Sequence, residues 1–496
     1  MQLPIIDVLI FFVFTAGTIL FGASFYKKNS SASAYTSGEK KLAPWLVALS
    51  IFATYLSSIS FLALPGKAYQ SNWNAFVFSL SIPLASYFAV RFFVPLYREI
   101  NSISAYQYLE HRFGLWARLY TASCYILTQI MRTGAILLLL ALPLNTAFGW
   151  SMSHIIIGTG LAVTLYAMLG GIRAVIWTDA IQAIILILGA LAVAFYLSFS
   201  LPGGPGQVLQ IAGENHKFSL GSFGTSLSQS TFWVVLIYGF FINLQNFGID
   251  QNYIQRYMTT ASEAGAKKST WIGSLLYIPV SFLFFYIGTA LFAFYKVNAN
   301  RLPDELLAEN KSDQVFPYFI VHELPVGFTG LLLAAVFAAG MSNISTSINS
   351  SATILLTDFY KKFIPAPVSD STEMRVLYLA SLSIGIAGIL IALALVGVPS
   401  ILDTWWALAS VFSGGMLGLF LLGFIAKKAK RIHAVIGVVA GVLTITWLAL
   451  TPLLFTGTKW VQYRNPFHSN LTIVIGTTVI FLVGFILSYW LPKKNS

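Results

Sequence analysis

Of the chain's 496 residues, 57% are hydrophobic and 9% charged, against roughly 25% charged in a soluble domain, so it reads as a polytopic integral membrane protein. The formal charge of +12 forms no basic arm or nucleic-acid motif and sorts by side of the membrane, which argues against a nucleic-acid partner. One cysteine, Cys124, and six scattered histidines leave no disulfide framework, no cysteine-based metal site and no His-Glu-x-x-His protease motif.

Counting apolar segments of about 20 residues predicts thirteen spans, at 5–25, 43–69, 73–97, 117–148, 153–170, 174–200, 230–250, 270–296, 322–357, 374–397, 402–425, 432–453 and 470–491. The first starts without a basic region or a small-residue cleavage site, so it reads as a retained span and not a cleaved signal. Of the 29 Lys and Arg, 21 then fall on one side, among them Lys27, Lys28, Arg98, Lys267, Lys268, Lys427 and Lys428, with only Lys67, Lys217, Lys296, Arg301, Lys311, Lys459 and Arg464 on the other. The richer side is cytoplasmic, which puts the N-terminus outside and the C-terminus inside.

The second span is interrupted. Between Ile51 and Phe61 it carries Thr54, Ser57, Ser58 and Ser60, with Pro65 and Gly66 just beyond. Backbone can loosen at membrane depth only where it lines a protein-enclosed or wet cavity. Freed carbonyls and serine oxygens are hard ligands suited to a small cation; a Ser-rich helix contact is the equal alternative.

Residues 103–114 form an amphipathic stretch on the inner face, and the fourth span places Arg132 near its centre, with Thr128 and Gln129 on the same helix face. Insertion scales charge a central Arg about +2.5 to +3.5 kcal/mol, so such a residue is functional by default. No Asp or Glu lies near the middle of any predicted span. Arg132 therefore faces a wet cavity or awaits a ligand's carboxylate, which a guanidinium binds as a fork; the alternative is a structural Arg bonded to backbone carbonyls. Asp179, early in the sixth span, either pairs with Arg173 or ligates a cation beside Ser345 and Thr346.

Five spans after the first interruption, the seventh is interrupted by Asn243, Gln245, Asn246 and Gly248. Interrupted segments at matching places in two halves point to an inverted-repeat carrier and to its binding site. Asp250, Gln251, Gln255 and Arg256 read as a helix-end network, and Phe76, Phe78 and Phe247 as candidate pocket walls. The connections 201–229 and 297–321 read as long outer loops. On the ninth span Ser342, Ser345, Thr346 and Asn349 recur at i, i+3, i+4 and i+7, a polar stripe with Asn343 at its edge. It suits a weakly hydrated monovalent cation, or else interhelical hydrogen bonding.

Several runs carry a resemblance: Gly-Gly-Ile-x-x-Val-Ile-Trp-Thr-Asp-x-Ile-Gln at 170–182, Gln255-Arg256-Tyr257, and Asn349-Ser350 followed by Thr357-Asp358-Phe359-Tyr360. Together they resemble the sodium:solute symporter family. The resemblance implies an all-α LeuT-type fold in one membrane domain over 1–496: a leading helix (5–25), two inverted five-helix repeats (43–200 and 230–425) and two trailing helices (432–491). Phe52-Ala53-Thr54, Leu56 to Phe61, Lys67-Ala68-Tyr69 and Arg132 look most like the bacterial sodium/sialic acid symporters.

That likeness implies a main sodium site made by the carbonyls of Ala53, Leu56 and Ala339 with the side chains of Ser342 and Asn343, and a second near Asp179, Ser345 and Thr346. It puts the substrate carboxylate on Arg132 with Ser57 and Ser60 nearby; Tyr55, Ser79, Gln129, Asn246 and Phe247 complete the candidate substrate site. Asn343 stands where the family usually has a hydroxyl, and Tyr55 and Ser79 where the sialic acid carriers place a Thr and a Gln. The expectation is a sodium-coupled symporter of the plasma membrane, not an enzyme, working as a monomer in lipid and importing a carboxylated sugar by alternating access. A monocarboxylate, a proline-like amino acid or a neutral sugar is the same-class rival. A membrane enzyme would need clustered acids, a nucleophile pair or a metal motif, and none is visible.

Overall fold

The computed structural model describes residues 3–28, 31–56, 58–307, 311–364, 368–397, 414–455 and 460–490; among them the chain is helical, with one isolated bridge between Leu42 and Thr260. Ten helices among these residues are long and apolar enough to cross a membrane, or eleven when one bent pair is counted as a span.

Helix α1 (Ile5–Ala23) leads. The bent pair follows: α2 (Pro44–Tyr55) and α3 (Ser58–Gln70) meet at 53°. Pro44 opens α2 at a position where its missing N–H costs nothing, and α2 ends where Leu56 turns extended (φ −81°, ψ 97°). The predicted interruption of the second span is therefore a real break, and Ser57 within it lies outside the described residues.

Next come α4 (Trp73–Ile100), with a π turn at Ala89–Phe93, then α5 (Leu115–Phe148) and α6 (Met152–Phe199). The 48 residues of α6 would extend about 72 Å at 1.5 Å per residue, more than twice a hydrocarbon core of about 30 Å. Gly171 interrupts it with φ 58° and ψ −170°, a conformation open to a residue without Cβ. It lies at the boundary drawn between the predicted fifth and sixth spans.

The second half contains α7 (Phe232–Ile249), α8 (Gln251–Met258), α9 (Glu263–Leu275), α10 (Tyr277–Val297), α11 (Phe328–Ile354) and α12 (Asp370–Ala394). It continues with α13 (Met416–Ile425), α14 (Arg431–Leu454) and α15 (Leu471–Trp490). One boundary differs clearly from the sequence reading, and another falls outside the described residues. The predicted ninth span starts at Phe328 and not 322, because Gly327 takes φ 94° and a separate helix, Ser312–His322, occupies the preceding connection. Of the predicted span 402–425, residues 402–413 lie outside the described set.

Helix α11 is the hub. It packs on α1, α5, α6 and α12, and every residue from Leu332 to Ile354 is buried. A helix wholly enclosed by protein can carry a polar stripe that lipid would reject. Around it α2 packs on α6 and α9, and α3 on α10. At that last contact Gly288 meets the Pro65 carbonyl with no room for a Cβ, the close approach that small residues allow between membrane helices.

Candidate functional site

A cavity of about 790 Å³ lies between α3, α4, α5, α7 and α10. Thr128, Gln129 and Arg132 face it from α5, Tyr55 from the end of α2, Ser60 from α3, Ser79 from α4, Gln245 and Asn246 from α7, and Ser281 from α10. Toward one end the lining passes to loop residues Asn72, Ser222, Ser230 and His468, and toward the other to Tyr125, Asp250 and Tyr253. The lining thus runs from loop residues at one end to the start of α8 at the other, with polar side chains along its length.

Most predicted substrate residues meet in this cavity. Ser79 donates to Ser281 Oγ at 2.9 Å. The Tyr55 hydroxyl donates to Asn243 Oδ1, and its ring stacks on Phe247 with centroids 5.4 Å apart. Phe247 itself is fully buried and absent from the lining: it backs Tyr55 and does not face a solute. Gln245 Oε1 is buried with no hydrogen-bond partner among the described residues, and Gln245 lines the cavity, a place the sequence reading did not give it.

Arg132 makes no ion pair among the described residues. Its Nη2 donates to the Thr54 carbonyl at 3.1 Å and to Asn343 Oδ1 at 2.5 Å. Asn343 is fully buried behind it, and its Nδ2 donates to the carbonyls of Ala339 at 3.0 Å and Leu56 at 3.3 Å. Those two carbonyls, with Ala53 and Ser342 close in sequence on the same two helices, are the predicted cation ligands. The break in the second span and the stripe on α11 therefore do meet, and Asn343 bridges them.

Asp179 sits one layer deeper. Ser342 Oγ donates to its Oδ1 at 2.5 Å, and Ser50 Oγ and Arg256 Nη2 donate to its Oδ2 at 2.5 and 2.7 Å. Arg256 also donates to Thr346 Oγ1 at 2.5 Å and to the Asn252 carbonyl at 2.8 Å. Asp179 and Arg256 are 0% and 1% exposed, a fully enclosed ion pair with its other donors and acceptors satisfied. Arg173, the ion-pair partner in one of the two readings open for Asp179, instead reaches the Gly38 carbonyl and Glu39. Thr346 is bonded to Arg256, and Ser345 Oγ donates to the Ser342 carbonyl at 3.0 Å. Further along the stripe, Ser347 donates to Gln129 and Gln255 to Asn349.

The second break also moves. Helix α7 runs straight through Asn243, Gln245, Asn246 and Gly248 and stops at Ile249. Asn243 bonds sideways, to Ser81 Oγ at 2.9 Å, which leaves the helix intact. The chain turns extended at Asp250 (φ −79°, ψ 123°), whose carboxylate caps α8 by accepting the Asn252 N–H at 2.7 Å. Asp is a preferred N-cap, and Asp250 directly after an apolar run was the signal available. Asp250 thus has the helix-end role read from the sequence, and it also lines the cavity as an acidic residue.

The profile of the sodium:solute symporter family matches residues 35–441. The sodium/sialic acid symporter NanT of Aliivibrio fischeri (strain ATCC 700601 / ES114) is 31% identical over 96% of this chain and 91% of its own. SiaT of Proteus mirabilis (strain HI4320), also a sodium/sialic acid symporter, is 33% identical over 89% and 88%. Sodium-coupled monocarboxylate transporter 2 of Mus musculus is 28% identical over 90% and 71%. Among solved structures, the substrate-bound outward-open state of a Na+-coupled sialic acid symporter superposes with a TM-score of 0.88, at 30% identity over 98% of both chains. A nucleobase-cation-symport-1 family transporter in a closed conformation, 15% identical with a TM-score of 0.58, shares the fold.

Proposed function

The chain belongs to the sodium:solute symporter family, and from that premise we propose that it imports sialic acid, N-acetylneuraminate, together with sodium by alternating access. The observation that carries this reading is Arg132: a guanidinium on the wall of a cavity of about 790 Å³ that it shares with Asp250, and in no ion pair among the described residues. A carboxylate brought by the solute supplies the missing anion. Thr128, Gln129, Ser60, Gln245 and Asn246 offer the hydroxyl and amide groups that a polyhydroxylated sugar acid needs. A volume near 800 Å³ suits a ligand of that size.

Sodium enters as co-substrate, and the carbonyls of Ala53, Leu56 and Ala339 with Ser342 and Asn343 are its proposed main site. Asp179, Ser345 and Thr346 form a proposed second one. The proposed topology has thirteen spans: the ten long helices, the α2–α3 pair, the division of α6 at Gly171, and α13. On it rest the leading helix, the two inverted repeats at 43–200 and 230–425, the outside N-terminus and a monomer in the plasma membrane. The cavity mouth at Asn72, Ser222 and His468 is then the extracellular entrance.

Equilibrium binding of labelled N-acetylneuraminate to the purified chain in saturating sodium tests the anchor. Arg132→Ala is expected to weaken it at least about thirtyfold, the ~2 kcal/mol low end for truncating one partner of a buried charge pair. Unchanged affinity contradicts the reading. A second substrate, a small monocarboxylate, is favoured by the same Arg132 and the 28% identical monocarboxylate transporter; it is identified if such an acid displaces the label at lower concentration than unlabelled sialic acid.

A further inference from the structure

Asn343 spends both ends of its amide on the two halves of the site. Nδ2 donates to the Leu56 and Ala339 carbonyls, and Oδ1 accepts from Arg132. Chemistry fixes that orientation. A guanidinium only donates and a carbonyl only accepts, so of the two ways round for the amide, one satisfies all three contacts and the other satisfies none. As the side chain stands, a neutral N–H₂ group occupies the point where two carbonyls converge, and Arg132 is held by the other end.

A sodium ion between those carbonyls cannot tolerate the amide hydrogens. To admit the ion, the amide turns over so that Oδ1 becomes a ligand. The turn removes the acceptor from Arg132 and presents N–H₂ to it, and two donors face to face repel. The ion and the Asn343–Arg132 bond are mutually exclusive.

We propose that Asn343 is the switch that couples the two substrates: without sodium it holds Arg132, and sodium at the Leu56 and Ala339 carbonyls turns it over and releases the guanidinium to the solute's carboxylate. The switch rests on the reading of Arg132 as carboxylate anchor, and it assigns the coupling to one side chain. Reciprocity requires that solute raise sodium affinity by the factor by which sodium raises solute affinity.

Two titrations of the full chain in detergent test the switch. The first measures N-acetylneuraminate affinity at zero and saturating sodium, with N-methylglucamine as replacement cation. In the unaltered chain sodium is expected to tighten it about tenfold or more, the scale of one hydrogen bond to a charged group. In Asn343→Ser, which can ligate sodium but cannot reach Arg132, the sodium-free affinity rises and the sodium effect falls to about threefold or less. The second titrates sodium alone. Arg132→Ala, which frees Oδ1 to turn, is expected to bind sodium about tenfold more tightly than the unaltered chain.

An unchanged sodium effect in Asn343→Ser, or an unchanged sodium affinity in Arg132→Ala, overturns the switch. Solute binding that ignores sodium in the unaltered chain also overturns it, since Asn343 is then a permanent plug. If the unaltered chain binds no sialic acid at all, the substrate reading fails, and the sodium titration of Arg132→Ala still decides whether Asn343 links the ion site to the arginine.

Discussion

Two arginines meet membrane-depth protein in opposite ways. Arg256 is matched: Asp179, Ser50, Thr346 and the Asn252 carbonyl take its donors. Arg132 is only half matched, by one carbonyl and one amide. A matched buried pair costs little while intact and a great deal once split. Asp179→Ala is expected to destabilise the chain by about 3–5 kcal/mol, whereas Asp179→Ala with Arg256→Met recovers most of the loss; thermal unfolding in detergent reads both. Equal destabilisation by the single and the double variant would contradict the pairing. Arg132 was legible in the sequence because its cost in hydrocarbon demands a reason. The partner of Asp179 was not, because Arg256 lies 77 residues away and Arg173 only six. Local spacing carries no information about which helices the fold brings together.

At the scale of elements, apolar length was legible and the position of a break only partly so. Hydroxyls at Thr54 to Ser60 marked the first break correctly because α2 does end there. Asn243 and Gln245 suggested a second break too early, since an amide that bonds sideways to a neighbouring helix leaves its own helix whole, while Asp250 caps a new one.

The outer end of α3 shows another such contact. Lys217 Nζ donates to the carbonyls of Tyr69 at 2.6 Å and Ser71 at 2.9 Å, and it lies 3.8 Å from the centroid of the Phe292 ring. Burial, helped by the nearby Lys296, lowers its pKa from 10.5 to about 8. Between those values the unfolded chain holds a proton that the folded chain has released, so this residue's contribution to stability rises with pH across that window. Below pH 8 the charged form carries its full desolvation cost. Melting temperature followed from pH 7.5 to 9.5 is expected to rise more steeply in the unaltered chain than in Lys217→Met; parallel curves would contradict the assignment.

The whole molecule is a case of polarity gathered inside apolar walls. Helix α11, buried from Leu332 to Ile354, puts Ser342, Asn343 and Thr346 against a broken helix on one side and a charged network on the other. Composition and periodicity revealed the spans and the stripe, and family motifs supplied their pairing. What they did not reveal is that Asn343 bridges the carbonyls and the arginine, because a bridge depends on the fold and not on spacing. In the proposed coupling, an ion at the break and an anion at Arg132 would lie on either side of one amide.

The most direct measurement is accumulation of labelled N-acetylneuraminate in proteoliposomes against its own concentration gradient, driven only by an inward sodium gradient. Uphill accumulation that collapses when the sodium gradient is dissipated is the predicted result. Simple equilibration of the label, identical with and without the gradient, would contradict the account.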